Sequence, residues 1–247
     1  MDKKKATRPV TPTADEARAA LRRLANPAKA RLLQGFFKTA PGEYGEGDVF
    51  LGVVMPRIHE LTAKFRALPL TQLRSLLRGG VHEERMLAVL VAVEQYRKGD
   101  EKVRRSIFDF YLAHTRWVNN WDLVDQSAHL IVGPQVFGGN PALLKKLSKS
   151  ASLWERRIAI IATLHFIRHG RFTETLALAV AYLGDTEDLM HKASGWMLRE
   201  VGKRDAAVLR AFLTRYGKRM PRTMLRYAIE KFSPAERKNW LTSTKGR

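Results

Sequence analysis

Apolar residues along this chain recur every three to four positions, and no segment alternates apolar and polar residues as a strand would. The segment 84–91 has a charged start and an apolar run, and a second such segment begins at Glu155. The two segments end at Gly99 and Gly170, so they superpose at an offset of 71 residues. A third segment, residues 191–204, resembles residues 157–170 at an offset of 34. Two units of about 35 residues, the size of a helix pair, fit the longer offset. We therefore expect an all-α solenoid of about twelve to fourteen helices.

Local signals in the first third of the chain predict where individual helices begin. Thr13 and Glu16 have the spacing of a capping box, for a helix over about 14–25. Pro27 suits the first position of a second helix, which extends to about residue 39. Its apolar face consists of Leu32, Leu33 and Phe36. We expect residues 1–12 to form a disordered basic arm, 13–240 a single domain and 241–247 a flexible tail.

The charge of the chain narrows the class of partner. Lys and Arg outnumber Asp and Glu by 44 to 24, a net charge of +20, which favours a polyanion, and nucleic acid above all. A generally soluble basic protein is the alternative. No apolar run approaches the roughly 20 residues of a membrane span, and no apolar segment follows the N-terminal lysines as in a secretory signal. We expect a cytoplasmic protein that does not bind membranes.

Two further compositional features exclude some chemistries. The absence of cysteine rules out disulfides, thiolate metal sites and cysteine nucleophiles. The seven histidines show no spacing typical of metal ligands, so we expect no metal.

The segment 118–125 contains the first candidate for chemistry. Trp121 and Asp125 are four residues apart near a predicted helix start, so they lie on one helical face. Asp122 is suited to support that helix start. Two other interpretations remain open. Trp121 is also in phase with a core stripe of Val124, Ala128 and Ile131, and Asp125 alone has the character of a solvated surface carboxylate.

The second candidate is Trp196, which shares a helical stripe with three cations. Lys192, Arg199 and Lys203 follow the helical spacing, whereas the apolar stripe of this segment runs elsewhere. A tryptophan among cations suits a nucleic-acid groove. The alternative is a tryptophan packed at a repeat junction beneath lysine stems.

The adjacent arginines Arg156 and Arg157 begin a helix that is otherwise apolar on nearly all sides. Such a pair can bind phosphates through its forked donors. The alternative is an ion pair with Glu155 or a neighbouring acid.

Several motifs together resemble the AlkD-type DNA alkylation repair glycosylases, a family built from HEAT-like repeats. The matching segments, over about residues 20–235, are 44–53 (YGEGDVFLGV), 82–85 (HEER), 119–125 (NNWDLVD), 154–157 (WERR) and 192–200 (KASGWMLRE). The resemblance implies a right-handed superhelical solenoid with a concave basic groove. It also implies excision of N3-alkyladenine and N7-alkylguanine from double-stranded DNA without a metal or cofactor. The sequence gives no reason for a dimer, so we expect a monomer.

Site residues carried over from the resemblance are Trp121, Asp125 and Trp196 as the catalytic group, with Arg157 in support in preference to Arg156. Tyr44 and Phe50 would belong to the N-terminal part of the DNA cleft. The cations expected to bind DNA are Arg156, Arg157, Lys192, Arg199 and Lys203. The alternatives are a non-catalytic nucleic-acid-binding solenoid and a protein-interaction scaffold.

Overall fold

The computed structural model describes residues 11–244, and helices are the only extended regular elements within that range. The all-α fold class is therefore confirmed. Fifteen α-helices are described in this range, slightly more than the twelve to fourteen expected. The predicted arm lies almost entirely outside the described residues, as does the end of the predicted tail.

Most of the helices follow one another through short loops, but residues 37–54 form a long loop between the second and third helices. Their bounds are α1 (Ala14–Arg23), α2 (Pro27–Phe36), α3 (Met55–Lys64), α4 (Leu70–Leu77), α5 (His82–Lys98), α6 (Glu101–Ala113), α7 (Trp121–Asp125), α8 (Ala128–Phe137), α9 (Ala142–Leu147), α10 (Leu153–Arg168), α11 (Thr173–Ala181), α12 (Asp188–Arg204), α13 (Ala206–Tyr216), α14 (Arg222–Ala228) and α15 (Pro234–Ser243). Three 3-10 turns, at 115–117, 182–184 and 217–219, complete the order. No helix within 11–244 combines the length and apolar character needed to cross a bilayer.

The helix starts follow the predicted signals. Thr13 and Glu16 form both hydrogen bonds of the capping box at α1. The side chain of Asn26 caps α2, whose first residue is Pro27. These contacts satisfy backbone N–H groups that a helix leaves without an internal partner, and so they fix where each helix begins.

The chain divides into two compact units at residue 110, within α6. In the first unit, α3 and α4 pack against α5, and α1 packs against all three. The apolar run of α5 is buried on nearly every side, which explains why its sequence has no polar face.

The second unit contains a layer of successive neighbours. In this layer α8 packs on α10, α10 on α12 and α12 on α14. Gly195 lets α12 and α14 approach closely, because an added Cβ would lie 2.5 Å from the carbonyl oxygen of Met224. The repeating segments that begin at Arg157 and His191 are therefore adjacent helices of one layer, α10 and α12.

Candidate active site

The short helix α7 carries Trp121 at its first residue and Asp125 at its last. The side chain of Asn120 accepts a hydrogen bond from the backbone N–H of Trp121, and that of Asp122 accepts one from Leu123, both at 2.8 Å. Asp122 thus supports the helix start, as predicted. Trp121 is half-buried. Val124 of the same helix is fully buried, as are Ala128 and Ile131 in α8, so the two residues predicted to extend its apolar stripe lie in a separate helix.

Asp125 forms a two-pronged ion pair with Arg157. The Arg157 Nε donates to Asp125 Oδ1 and Nη2 donates to Oδ2, each at 2.9 Å. The third nitrogen, Nη1, donates to the backbone carbonyl of Leu189 in α12 at 2.6 Å. The Arg157 side chain is 5% exposed and that of Asp125 is 17% exposed. Three helices, α7, α10 and α12, therefore hold one carboxylate in a fixed orientation while leaving part of it accessible.

Burial raises the pKa of Asp125, and the nearby charge of Asp122 raises it further. Arg157 opposes this shift through its charge and its hydrogen bonds. The carboxylate is therefore poorly hydrated, and Arg157 is the cation that favours its ionised form. A desolvated acid of this kind is typical of functional sites.

Two half-buried histidines, in α8 and α10, lie in the second unit, which also contains Asp125. Burial lowers the pKa of His129 to about 4, with Arg168 adding to the effect. Burial also lowers the pKa of His165 to about 4, helped by His169 and Arg168. Both imidazoles are consequently neutral near pH 7, so they add no positive charge to this part of the molecule.

Arg156 is engaged differently from its neighbour Arg157. Its Nε donates to Asp185 at 2.8 Å, and its Nη1 donates to the carbonyls of Ser150 and Ala151. These acceptors connect α10 to the loop before it and to the loop before α12. The structure thus gives Arg156 the ion-pair role that the sequence left as an alternative, and phosphate binding by Arg156 stays a prediction.

Trp196 lies in the middle of α12, half-buried, about 10 Å or two turns beyond Leu189 along the helix. Its indole N–H donates to Glu200 at 3.2 Å. The three cations of its stripe also have acidic neighbours. Lys192 contacts Asp188 at 2.8 Å, Lys203 contacts Glu200 at 2.7 Å, and Arg199 contacts Glu230. The predicted basic stripe is therefore interleaved with carboxylates.

The two aromatic residues expected in the N-terminal part of a DNA cleft have different environments. Phe50 is only 5% exposed and stacks between Phe37 and His82, with ring centroids 4.9 and 4.6 Å apart. Its assignment to DNA contact is corrected to a role in the core of the first unit. Tyr44 is half-exposed, and its hydroxyl donates to the carbonyl of Phe36 at 3.4 Å.

The segment His82–Arg85 proves to be an anchor for the loop before α3, a role that the sequence did not reveal. The buried carboxylate of Glu83 accepts hydrogen bonds from the backbone N–H groups of Leu51, Gly52 and Val53 at 2.8–3.1 Å. His82 and Arg85 both bind Asp48, His82 at 3.0 Å. A carboxylate three residues before an apolar run could not be distinguished from an ordinary helix-start acid by sequence pattern.

No group of three or more histidine, aspartate or glutamate side chains in residues 11–244 is arranged to hold a metal ion.

Comparisons with known proteins identify the family of this chain. A model of the DNA alkylation repair enzyme family matches residues 17–232. The solved structure of a predicted DNA alkylation repair enzyme from Enterococcus faecalis has a similar fold, with a TM-score of 0.66 and 16% sequence identity. That similarity covers 85% of this chain and 97% of the other. A search of curated proteins gave no significant match. Because the family model spans most of its length, this chain belongs to the DNA alkylation repair enzymes, and its role is in alkylation repair.

Proposed function

We propose that the protein is a monofunctional DNA glycosylase, which hydrolyses the N-glycosidic bond of cationic alkylpurines such as N3-alkyladenine and N7-alkylguanine in double-stranded DNA. The observation that carries this proposal is the oriented, partly exposed carboxylate of Asp125, held at both oxygens by Arg157. Trp121 supplies an aromatic surface on the same face of α7.

One carboxylate is sufficient for this reaction. Breaking a glycosidic bond develops positive charge on the sugar, and most glycosidases need a second acid to protonate the leaving group. A cationic purine leaves as a neutral molecule when the bond electrons move to it, so no proton is needed. Asp125 would face the sugar, stabilise its positive charge and orient the attacking water.

Arg157 has a positioning role in this scheme. Its guanidinium uses three nitrogens on Asp125 and Leu189, which fixes the carboxylate before any substrate arrives. Preorganised groups of this kind stabilise charge without reorganising during the reaction. Each Asp125 oxygen accepts one hydrogen bond from Arg157 and so retains capacity for the sugar or for a water.

The indole faces would select for charge. An aromatic face attracts a cation by about 0.5–2 kcal/mol, more where water is excluded. Trp121 and Trp196 would therefore favour a nucleotide that carries positive charge over a neutral one. Discrimination would come from this attraction and from the lability of the charged base.

Lys192, Arg199 and Lys203 would bind the DNA phosphates nearest the site, and the ion pairs around them do not prevent it. These pairs are partly exposed, and exposed pairs contribute only about 0–1 kcal/mol. A phosphate can therefore replace a carboxylate at small cost. The carboxylates would also limit the affinity of this stripe for undamaged DNA.

A base-release assay on methylated duplex DNA tests the proposal. The native protein should release 7-methylguanine and 3-methyladenine above the spontaneous rate, and Asp125→Asn should lower the single-turnover rate by about 10²–10³-fold. The matched control is Asp109→Asn, which removes an exposed aspartate paired with Arg105 and should leave the rate unchanged.

Two further measurements separate chemistry from folding and binding. Asp125→Glu keeps the charge opposite Arg157 and should retain the thermal stability of the native protein more closely than Asp125→Asn does. Duplex affinity should be similar for all variants. Release at only the spontaneous rate by native protein that binds duplex DNA would instead support a non-catalytic binding protein.

A further inference from the structure

The helix α2 exposes two large apolar side chains in a strongly basic part of the chain. Leu32 is 73% exposed and Phe36 is 64% exposed, and they lie one turn apart on the same face. No residue of α2 is buried. Residues 17–42 contain six lysines and arginines and no acidic residue. An exposed apolar pair that persists among cations indicates a partner that is both anionic and able to accept apolar groups.

The Phe36 ring of this pair is supported by other aromatic rings. Phe36 contacts the buried Phe37 edge-on, with ring centroids 5.1 Å apart, and Phe37 in turn stacks on Phe50 and lies beside His82. Phe36 is thus the outer end of an aromatic row that begins in the core of the first unit. A side chain held in this way loses little conformational freedom when it binds.

The backbone at the end of α2 is fixed as well. The N–H of Gly45 donates to the carbonyl of Lys38 at 3.0 Å, and the hydroxyl of Tyr44 reaches the carbonyl of Phe36. A Cβ at Gly45 would lie 2.4 Å from the carbonyl oxygen of Phe37, so the loop packs directly against the helix end. The exposed face therefore belongs to an ordered element.

We propose that Leu32 and Phe36 form an apolar wedge that packs into the minor groove of duplex DNA and partly unstacks a base step, with Lys29 and Arg31 on the flanking phosphates. Apolar side chains inserted between base steps are a known way for proteins to deform DNA. The proposal rests on duplex DNA being the substrate, and it assigns to α2 a contact with the bases that is separate from the chemistry of Asp125.

The size of the apolar face favours DNA over a protein partner. Stable protein interfaces bury about 800 Å² on each side, and two side chains cover much less. Two side chains are, however, enough to fill one base step. The exposed cations on α2 and at its end, Lys29, Arg31 and Lys38, match the phosphates on either side of such a step.

The double variant Leu32→Ser/Phe36→Ser tests the wedge on undamaged duplex DNA. Its affinity should be roughly tenfold to hundredfold lower, as expected when aromatic side chains no longer touch the bases. The dependence of its affinity on salt should be unchanged, because every phosphate contact is retained. Lys29→Gln should instead reduce the salt slope by about 0.9. Val103→Ser, at a residue 39% exposed on α6, is the control and should have no effect.

A second measurement reports on unstacking of the DNA bases. The fluorescence of 2-aminopurine placed at successive positions should rise at one step with native protein and not with the double variant. An affinity of the double variant within twofold of native would overturn the proposal. So would loss of self-association, or loss of binding to anionic phospholipid vesicles, while duplex affinity stays native. Base release by the native protein is measured separately, so failure of the glycosylase activity would leave this result interpretable.

Discussion

Two opposing influences act on the Asp125 carboxylate. It is desolvated enough for burial to raise its pKa, yet the Arg157 guanidinium contacts both of its oxygens. Such a pair is costly to bury, and removing either partner leaves an uncompensated charge. The pair is understandable if its function is to present a poorly hydrated negative charge to a cationic sugar, where the charge has most effect.

The state of ionisation of Asp125 predicts how base release depends on pH. Asp125 must be negative to act, so the rate should fall as the pH drops through its pKa. Because that pKa is raised, the fall should begin at a higher pH than an ordinary aspartate, with a pKa of about 3.9, would give. Single-turnover rates across the acid range, corrected for spontaneous depurination, measure this acid limb of the pH profile.

Asp122→Asn provides the matched variant for the pH profile. The charge of Asp122 helps to raise the pKa of Asp125, so its removal should move the acid limb to lower pH and leave the plateau rate unchanged. An asparagine can still accept the hydrogen bond from Leu123 that supports the helix start. An acid limb that stays in place in this variant would show that another group controls it.

At the scale of elements, the loop between α2 and α3 is shaped by side chains of α5 that are about 30 residues away. Glu83 accepts hydrogen bonds from three consecutive N–H groups of the loop. Gly52 sits at the middle of this turn with a φ of +80°, and an added Cβ would lie 2.2 Å from the carbonyl oxygen of Asn26. The loop can take this shape only because residue 52 is glycine and a buried carboxylate satisfies its donors.

Glu83→Gln is therefore expected to destabilise the first unit. An amide oxygen replaces a charged acceptor, and its NH2 group faces backbone N–H donors, so the free energy of unfolding should fall by about 2 kcal/mol. Thermal denaturation should show a Tm several degrees lower, at about 2–4 °C per kcal/mol. Glu60→Gln removes a glutamate from an exposed pair with Arg57 and should change the Tm little. Equal melting of the two variants would contradict this role of Glu83.

Much of the fold could be predicted because the relevant signals are local. The apolar runs of α5, α10 and α12, the capping box at α1 and Pro27 at the start of α2 all appear within single helices. The site was harder to predict because its contacts are distant in sequence. Asp125 and Arg157 are 32 residues apart. Glu230, which neutralises Arg199, lies 31 residues after Arg199. A helical stripe identifies the cations but not the acids that neighbouring helices place beside them.

The whole molecule carries its excess positive charge unevenly. Residues 17–42 and 206–229 each contain six lysines and arginines and no acid. Elsewhere many arginines are paired within their own helices, as Arg57, Arg97 and Arg105 are. Arg215, Lys218 and Arg219 are exposed, and no carboxylate in the described part of the chain lies within ion-pair distance of them. If the proposed DNA substrate is correct, the two acid-free stretches should supply most of the phosphate contacts.

The salt dependence of duplex binding tests this distribution of charge. Removing one cation that binds a phosphate should reduce the slope of log K against log salt by about 0.9. The triple variant Arg215→Gln/Lys218→Gln/Arg219→Gln should therefore reduce the slope by up to about 2.7 if all three side chains bind phosphates. The matched triple variant Arg57→Gln/Arg97→Gln/Arg105→Gln removes the same charge from residues already paired, and it should reduce the slope by less than about 1. Equal reductions would mean that net charge, rather than its placement, governs binding. Both variants should keep the native single-turnover rate on saturating methylated duplex, because neither alters Asp125 or Arg157.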